Sequence, residues 1–418
     1  MKILVLNSGS SSQKACLYEI GATLPEHPPI CLWEGKIDWD RETAAMRVKN
    51  SEGQVLTEQR PVTSRERVIR DLLDTLFVGA TRAVASPADI HAVGHRVVHG
   101  GPQFEDPVLI TPEVRSAIDS VSAFAPLHIR VELEGMDIVE NLFGGVPQIA
   151  VFDTGFHRQM PRSAAIYPGP YEWFESGIRR YGFHGINHQY CADRAAHLLG
   201  KDARSLRLVT CHLGNGCSVA AIRGGRSLDT TMGFTPLDGL MMGTRSGSVD
   251  PGILTFLMRQ RKLDGEEIDR VLNQKSGLLG ISGLSSDMRD ILAAIPKGHD
   301  RAQLAFDIYV HRLRAAIGAM AAVLGGIDAL VFTAGVGENS PEVREAATSG
   351  LEFLGLTLNR LANRQPCLDQ DIATPDSRVR VLVIRAEEDW AIAQECWRLV
   401  QRTAQVATAK LKHWGQTE

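Results

Sequence analysis

No stretch of the 418 residues approaches the ~18–20 consecutive apolar residues of a membrane-crossing helix, so no membrane partner is expected. The apolar opening, Ile3–Leu6 behind Met1-Lys2, is too short for a secretory signal. The seven cysteines (Cys16, Cys31, Cys191, Cys211, Cys217, Cys367 and Cys396) are odd in number and form no CxxC pair. That excludes a disulfide framework or zinc site as the first reading and leaves free thiols in a reducing, cytoplasmic setting. Positive charge is not in excess: 45 Lys and Arg stand against 49 Asp and Glu, a net charge of −4. The basic footprint of a nucleic-acid binder is therefore missing. Neither a GxxxxGK[ST] P-loop nor a GxGxxG turn occurs, which disfavours those two nucleotide-binding classes. No low-complexity linker divides the chain.

With 44% hydrophobic residues and 22% charged, the composition suits a globular protein able to bury a sizeable core, and the length suits two domains. Lys2–Leu6 reads as a buried strand, followed by the small polar loop Asn7–Ser12 and a returning strand, Lys14–Ile20. Half a chain later the pattern recurs: strand Leu206–Cys211, loop His212–Gly216, strand Cys217–Ile222, with Gly9 opposite Gly214. The repetition points to a duplicated α/β unit with a cleft between the copies; two independent glycine hairpins are the plainer alternative. Further buried strands are expected at Ala329–Phe332 and Val379–Ile384, and helices at Arg65–Phe77, Ile186–Leu199, Pro251–Arg261 and Ala302–Leu324. Ser340-Pro341-Glu342 has the cap and first-turn residues of a helix start. Tyr167–Trp173, with its Pro and Gly, reads as a surface loop near the domain boundary.

Three loops follow apolar strands, at 7–12, 212–216 and 335–340. Glycine lets backbone N–H groups approach an anion, and a helix N-terminus favours negative charge. Two arginines lie among small and apolar residues: Arg96 in His95–Gly101 and Arg245 in Met241–Gly247. Each suits either a bound anion or a neighbouring carboxylate. Asp153 ends the apolar run Ala150–Phe152, where an α/β protein places a catalytic or metal-binding acid or a cap. His184, between Phe183 and Gly185, is structural or catalytic, and Glu388 is a metal ligand or a solvated helix start.

The runs NSGSSSQK, GHRVVHGG, VFDTGFH, RRYGFHGINH, HLGNGCS, MGFTPLDGLMMGTRSG and TAGVGENS together resemble the acetate kinases. These sit in the acetate and propionate kinase group of the actin, heat-shock chaperone and sugar-kinase superfamily. The resemblance spans positions 7 to about 340, and the acidic turn 387–389 extends it. It implies an α/β fold of two duplicated actin-like (ribonuclease H-like) domains with a cleft between them, here 1–154 plus 388–418 and 155–387, usually as a homodimer. It also implies reversible, magnesium-dependent phosphoryl transfer between ATP and acetate, giving acetyl phosphate and ADP, with Mn²⁺ as a second metal. By the same resemblance Asn7 and Glu388 hold the metal. Arg96 and Arg245 bind the carboxylate and the moving phosphoryl group, His184 stabilises the transition state, and Asp153 positions the nucleophile. Val98, Leu127, Phe183 and Pro236 line the acyl pocket. Lys14, His212, Leu213, Gly214, Asn215, Gly216, Asp287, Met288, Arg289, Gly335, Val336, Gly337, Glu338 and Asn339 bind ATP. Glu388 rather than Glu387 falls in register as the metal ligand.

A carboxylate is an adequate nucleophile, so the chemical difficulty is bringing two anions into line. Two arginines, a histidine and Mg²⁺ offset the repulsion, which favours direct in-line transfer. The chain departs from the family pattern in three places: Ile129-Arg130 replaces Asn-Pro, Ser248 replaces Asp, and Ile186-Asn187 replaces Thr-Ser. The first lies beside a pocket residue. A propionate kinase is therefore the nearest alternative, because one methylene discriminates by only ~1–3 kcal/mol. An ATP-binding switch without acyl transfer would not need Arg96, Arg245 and His184 together, and a sugar kinase would need a polar pocket in place of Val98, Leu127, Phe183 and Pro236.

Overall fold

The computed structural model describes residues 1–418 apart from 10–11, 41, 63, 123–125, 366–368 and 415–418; the side chains of 126–127 and 406–414 also lie outside the description. Ser10, Ser11 and Cys367, and the side chain of Leu127, are thus among the residues not described. The chain divides into two compact units, Met1–Gly155 with Glu387–Glu418, and Phe156–Ala386. Among the described residues no helix is long and apolar enough to cross a membrane, and the six described cysteines are all free thiols.

The first unit is built on eight strands: β1 (Lys2–Ser8), β2 (Ser12–Glu19), β3 (Trp33–Trp39), β4 (Thr43–Asn50), β5 (Val55–Pro61), β6 (Ala92–Val97), β7 (Val108–Leu109) and β8 (Gln148–Phe152). Their order is β5-β4-β3-β2-β1-β6-β8-β7. β1 to β5 form an antiparallel meander, while β1, β6 and β8 run parallel. β3 alternates buried Trp33, Gly35 and Ile37 with exposed residues, as a strand with one covered face should. That face packs on Val68, Ile69, Leu72 and Leu73 of the helix Arg65–Asp74, whose start is capped by Ser64, and on Ile138, Val139 and Phe143 of the helix Pro126–Phe143. β1, β2 and β6 are also packed by the C-terminal helix Glu388–Trp414, which buries Trp390, Ile392, Ala393 and Cys396. Gly94 of β6 permits that approach: a Cβ there would lie 2.6 Å from Cys396 Sγ and 2.7 Å from the Ile392 side chain.

The second unit repeats the plan with β9 (Arg207–Leu213), β10 (Cys217–Arg223), β11 (Arg226–Thr230), β12 (Ala329–Thr333), β13 (Gln370–Asp371) and β14 (Arg380–Val383). The order is β11-β10-β9-β12-β14-β13. β9 to β11 form the meander, and β9, β12 and β14 run parallel. In both units an opening hairpin leads into parallel strands, and an antiparallel strand closes the far edge. This is the duplicated α/β fold expected from the two hairpins. The expected helices form as Gly185–Leu199, Pro251–Arg261, Asp300–Leu324 and, with Ser340 as cap and Pro341 first, Pro341–Thr348.

One expectation is corrected. Residues 335–340, read as a glycine loop, are largely helix: Ala334–Asn339 follows β12 directly. Ala334 adopts a left-handed φ of 65°, which turns the chain in one residue. The Glu338 carboxylate accepts from the Ala334 and Ala386 N–H groups at 2.9 and 2.8 Å, holding the short helix in place. The Tyr167–Trp173 stretch is likewise partly ordered, its last residues opening the helix Tyr171–Glu175.

Candidate active site

In the first unit the parallel strands β6 and β8 lie side by side with Arg96 opposite Val151 and Val97 opposite Phe152. Asp153 donates its N–H to Val97 O at 2.9 Å, so the register continues past the strand ends and sets Arg96 beside Asp153. The two side chains form an ion pair; they are 14% and 1% exposed. Burial alone would lower the Arg96 guanidinium, but the carboxylates of Asp153 and Glu388 outweigh it and hold it above its ordinary value. Among the described residues its Nε is buried without a hydrogen-bond partner, so there the guanidinium keeps an unused donor.

A residue the sequence did not single out sits next to this pair. Glu132, on the helix Pro126–Phe143, is 2% exposed. Its Oε1 accepts from the Val98 N–H at 3.1 Å, and Oε2 is buried without a partner. Burial pushes its carboxyl up to about 8, against the pull of Arg96. Burial thus favours the protonated form of Glu132. Nothing in local sequence marked it, since a lone Glu on a helix reads as a solvated face. Val98 is buried, and His99 accepts from the Gly101 N–H through Nδ1 at 2.8 Å; burial pushes that imidazole down to about 4. Ile129 is fully buried, whereas Arg130 is exposed and pairs with Glu134 at 3.5 Å.

At the end of β1, Asn7 lies opposite Lys14. Its Nδ2 donates to Glu388 Oε2 at 3.2 Å and to Asp389 Oδ1 at 3.1 Å. Burial raises the Asp389 carboxyl while Lys14 opposes the shift, and the Cys16 thiol donates to its other oxygen at 3.6 Å. Lys14 and Asp389 share the lining of a cavity of about 250 Å³ with Lys36 and Arg47. The C-terminal helix therefore delivers Glu388 and Asp389 side by side to Asn7.

In the second unit His184 sits at the start of the helix Gly185–Leu199 with a left-handed φ of 58°. The register of β9 and β10 places Ser218 opposite His212. His184 Nδ1 meets Ser218 Oγ at 2.9 Å, and its ring stacks on His212 with centroids 3.9 Å apart and planes 13° apart. Asn187 Nδ2 lies 2.8 Å from His212 Nδ1, so the departure at 187 orients the His212 ring. The 212–216 turn closes through Gly214 N–H to Gly216 O at 3.0 Å. A Cβ on Gly216 would lie 3.4 Å from His184 Nε2 and 3.6 Å from an Arg245 terminal nitrogen, so both face the space above this glycine. A Cβ on Gly214 would lie 3.8 Å from Ala334 Cβ, which brings the start of the 334–339 helix alongside.

Arg245 is held by its backbone: Met242 N–H donates to Arg245 O at 3.1 Å, and Gly243 N–H to Asn215 O at 3.3 Å. Burial lowers its guanidinium, which stays charged. Asp287 caps the helix Met288–Ala294 and pairs with exposed Arg289 at 2.5 Å; Met288 is buried. The unit thus gathers His184, His212, Leu213–Gly216 and Arg245, with Ser286 beside Gly243 leading into Asp287. In the 335–339 segment, Gly335 faces open space, Val336 and Gly337 continue the helix, and Asn339 Nδ2 bonds Gly335 O at 2.9 Å. Phe183 is buried and Pro236 half-buried. Beyond the expected set, His157, His188 and Ser218 are fully buried behind His184: His188 Nε2 meets Ser218 Oγ at 2.7 Å, and the ring of His157, which bonds Ser227, lies 5.7 Å from that of His188.

Comparison with known proteins agrees with this geometry. The profile of the Acetokinase family matches residues 2–394. An acetate kinase of Cyanothece sp. is 58% identical over 407 residues, covering 97% of this chain and all of the relative. The crystal structure of Porphyromonas gingivalis acetate kinase superposes with a TM-score of 0.86 at 39% identity, covering 96% of this chain and 99% of that one. A propionate kinase from Francisella tularensis gives a TM-score of 0.86 at 37% identity, covering 94% and 98%.

Proposed function

The chain belongs to the Acetokinase family, and from that premise we propose that it is an acetate kinase, transferring a phosphoryl group reversibly between ATP and acetate. The full-length likeness to an acetate kinase at 58% identity carries the reading. Arg96 is assigned to the substrate carboxylate and the moving phosphoryl group; its unused, buried Nε supports this, because a bound anion would satisfy it. Asp153 holds Arg96 and positions the nucleophile. Arg245 and His184 are assigned to the charge that develops on the equatorial oxygens, where fixed donors act most strongly. The glycine-bearing turn 212–216, the 335–339 segment, Asp287–Arg289 and Lys14 are assigned to ATP. Val98, Leu127, Phe183 and Pro236 are assigned to the acyl methyl group.

Magnesium is the implied metal, and the donors present fit it. Glu388, Asp389 and Asn7 offer hard oxygen atoms and few carboxylates, the set Mg²⁺ takes alongside waters and phosphates; Mn²⁺ accepts the same donors. Asn7 and Glu388 would hold it, with Asp389 behind them, and when bound it supplies neutralising charge on the phosphates. Because Arg96 stays charged and no strong base is required, transfer is direct and in line.

A propionate kinase is the second reading, favoured by the equal TM-score of the Francisella enzyme. The Arg130 side chain is exposed and pairs with Glu134, so acetate stays first. The expected partner is a second copy of the chain, supported by Ile253, Phe256 and Met258 exposed on a helix that buries none of its residues. The expected compartment is the cytoplasm, where free thiols persist. Trapping acyl phosphate with hydroxylamine from ATP, Mg²⁺ and acetate, propionate or butyrate tests the proposal. No product from any acid would overturn it, and faster turnover of propionate would move the assignment to the second reading.

A further inference from the structure

Behind His184 lies a line of hydrogen bonds that the reaction chemistry alone does not require. Ser218 Oγ is 2.9 Å from His184 Nδ1 and 2.7 Å from His188 Nε2, and His188 Nδ1 is 2.7 Å from Thr210 Oγ1. Ser218, His188 and Thr210 are all fully buried, so water does not compete for these bonds. A serine hydroxyl has one proton and can also accept. When His184 is an imidazolium, its Nδ1–H donates to Ser218 Oγ, and the Ser218 proton turns to His188 Nε2. When His184 is neutral with its proton on Nε2, the Ser218 proton turns to His184 Nδ1, and His188 donates from Nε2 to Ser218. Either arrangement satisfies the Ser218 hydroxyl and His188 Nε2, and in both His184 keeps an N–H at Nε2, the edge that faces the space shared with Arg245.

We propose that Ser218, backed by His188, is a positioning residue that sustains the charged form of His184 during phosphoryl transfer. The inference rests on the acetate kinase reading only for the reaction it serves; the relay itself belongs to the folded protein. His188 must stay neutral for the relay to work. Burial, with His157 and His212 nearby, holds it well below the ordinary imidazole range. The other titratable or charged groups around the line are His212, stacked on His184, His157, whose ring is 5.7 Å from that of His188, Arg245 across Gly216, and Cys217 beside Ser218. Burial pushes His157 down to about 4 and the Cys217 thiol up to about 11, so neither changes charge near neutrality. Arg245 opposes a charge on His184, which makes the acceptor at Ser218 the compensating group.

The test is an NMR titration of ¹⁵N-histidine-labelled full-length protein, with kcat measured over the same pH range. In Ser218→Ala the His184 midpoint should fall by about one pH unit, the difference between a hydrogen bond to the charged ring and one to the neutral ring. The pH profile of kcat should move with it. His188→Phe, which removes the acceptor behind Ser218 but keeps a ring, should shift the midpoint in the same direction. In the unaltered protein His188 should show no titration between pH 5 and 8. An unchanged His184 midpoint in either folded variant, or a His188 that titrates in that window, would overturn the proposal. The NMR titration uses the protein without substrate, so failure of the kinase assignment would show separately, as absence of acyl phosphate and of any kcat to profile.

Discussion

Replacing Glu132 by glutamine should make the protein more stable at neutral pH, by an amount that grows with pH. The carboxyl is pushed from 4.5 up to about 8 in the fold, chiefly by burial. In the unfolded chain it releases its proton near 4.5, whereas the folded chain keeps it. The stability tied to this proton is fully present below pH 4.5, declines as pH rises, and is gone above about 8. The span of about 3.5 pH units at ~1.4 kcal/mol each sets a ceiling on the order of 5 kcal/mol at pH 8, and about 3 kcal/mol at pH 7. Glutamine cannot ionise, and its amide oxygen can still accept from the Val98 N–H. At neutral pH the side chain it replaces is already uncharged, so Arg96 keeps its ion pair with Asp153. Urea unfolding of both proteins at pH 5, 6, 7, 8 and 9 would measure the difference. The gap should widen by roughly 1.4 kcal/mol per pH unit up to 8 and then level off. Parallel stability curves would refute the reasoning and show Glu132 to be ionised in the fold.

Arg96→Ala and Arg245→Ala should each reduce turnover by on the order of 10²-fold or more, the effect of losing a preorganised charge donor; near-normal rates in a folded variant would remove the role proposed for that residue. Arg96→Ala should also cost about 3–5 kcal/mol in denaturant melts, because it strands the buried Asp153 carboxylate. Gly216→Ala should fold normally but lose most activity, since the new methyl fits at 3.4 Å from His184 Nε2 yet fills the space that ring and Arg245 share; full activity would show that space to be unused. Gly94→Ala, with its Cβ 2.6 Å from Cys396 Sγ, should destabilise by about 1–3 kcal/mol through overpacking, which thermal unfolding would detect.

Much of the architecture was legible because short-range pattern and tertiary demand agree. The buried runs at 2–6 and 206–211 are continuous because parallel-sheet interiors are covered on both faces, and each appears as a central strand. Ser340-Pro341 started a helix as its side-chain chemistry requires. The 335–340 segment was misread because its glycines suggest a loop, while the residue that makes the turn is Ala334, whose left-handed backbone has no local signature. Arg96, Asp153, His184 and Arg245 stood out as polar residues among apolar and glycine neighbours. Ser218 and Glu132 did not. Ser218 gains its place from the β9–β10 register and the helix carrying His188, and Glu132 from a helix reaching the end of β6. Both are contacts between segments far apart in sequence.

The C-terminal helix has a consequence for how the chain is made. It covers Gly94 of β6 with Ile392 and Cys396, so the first unit's sheet stays bare on that face until residues 388–396 have been made. The roughly 230 residues of Phe156–Ala386 intervene, and at ~5–20 residues per second they occupy on the order of 10–50 s. The second unit has its whole sequence before the first does. A nascent chain therefore carries an uncovered apolar surface while the second unit is being made, and the helix that later hides it is the same one that brings Glu388 to Asn7.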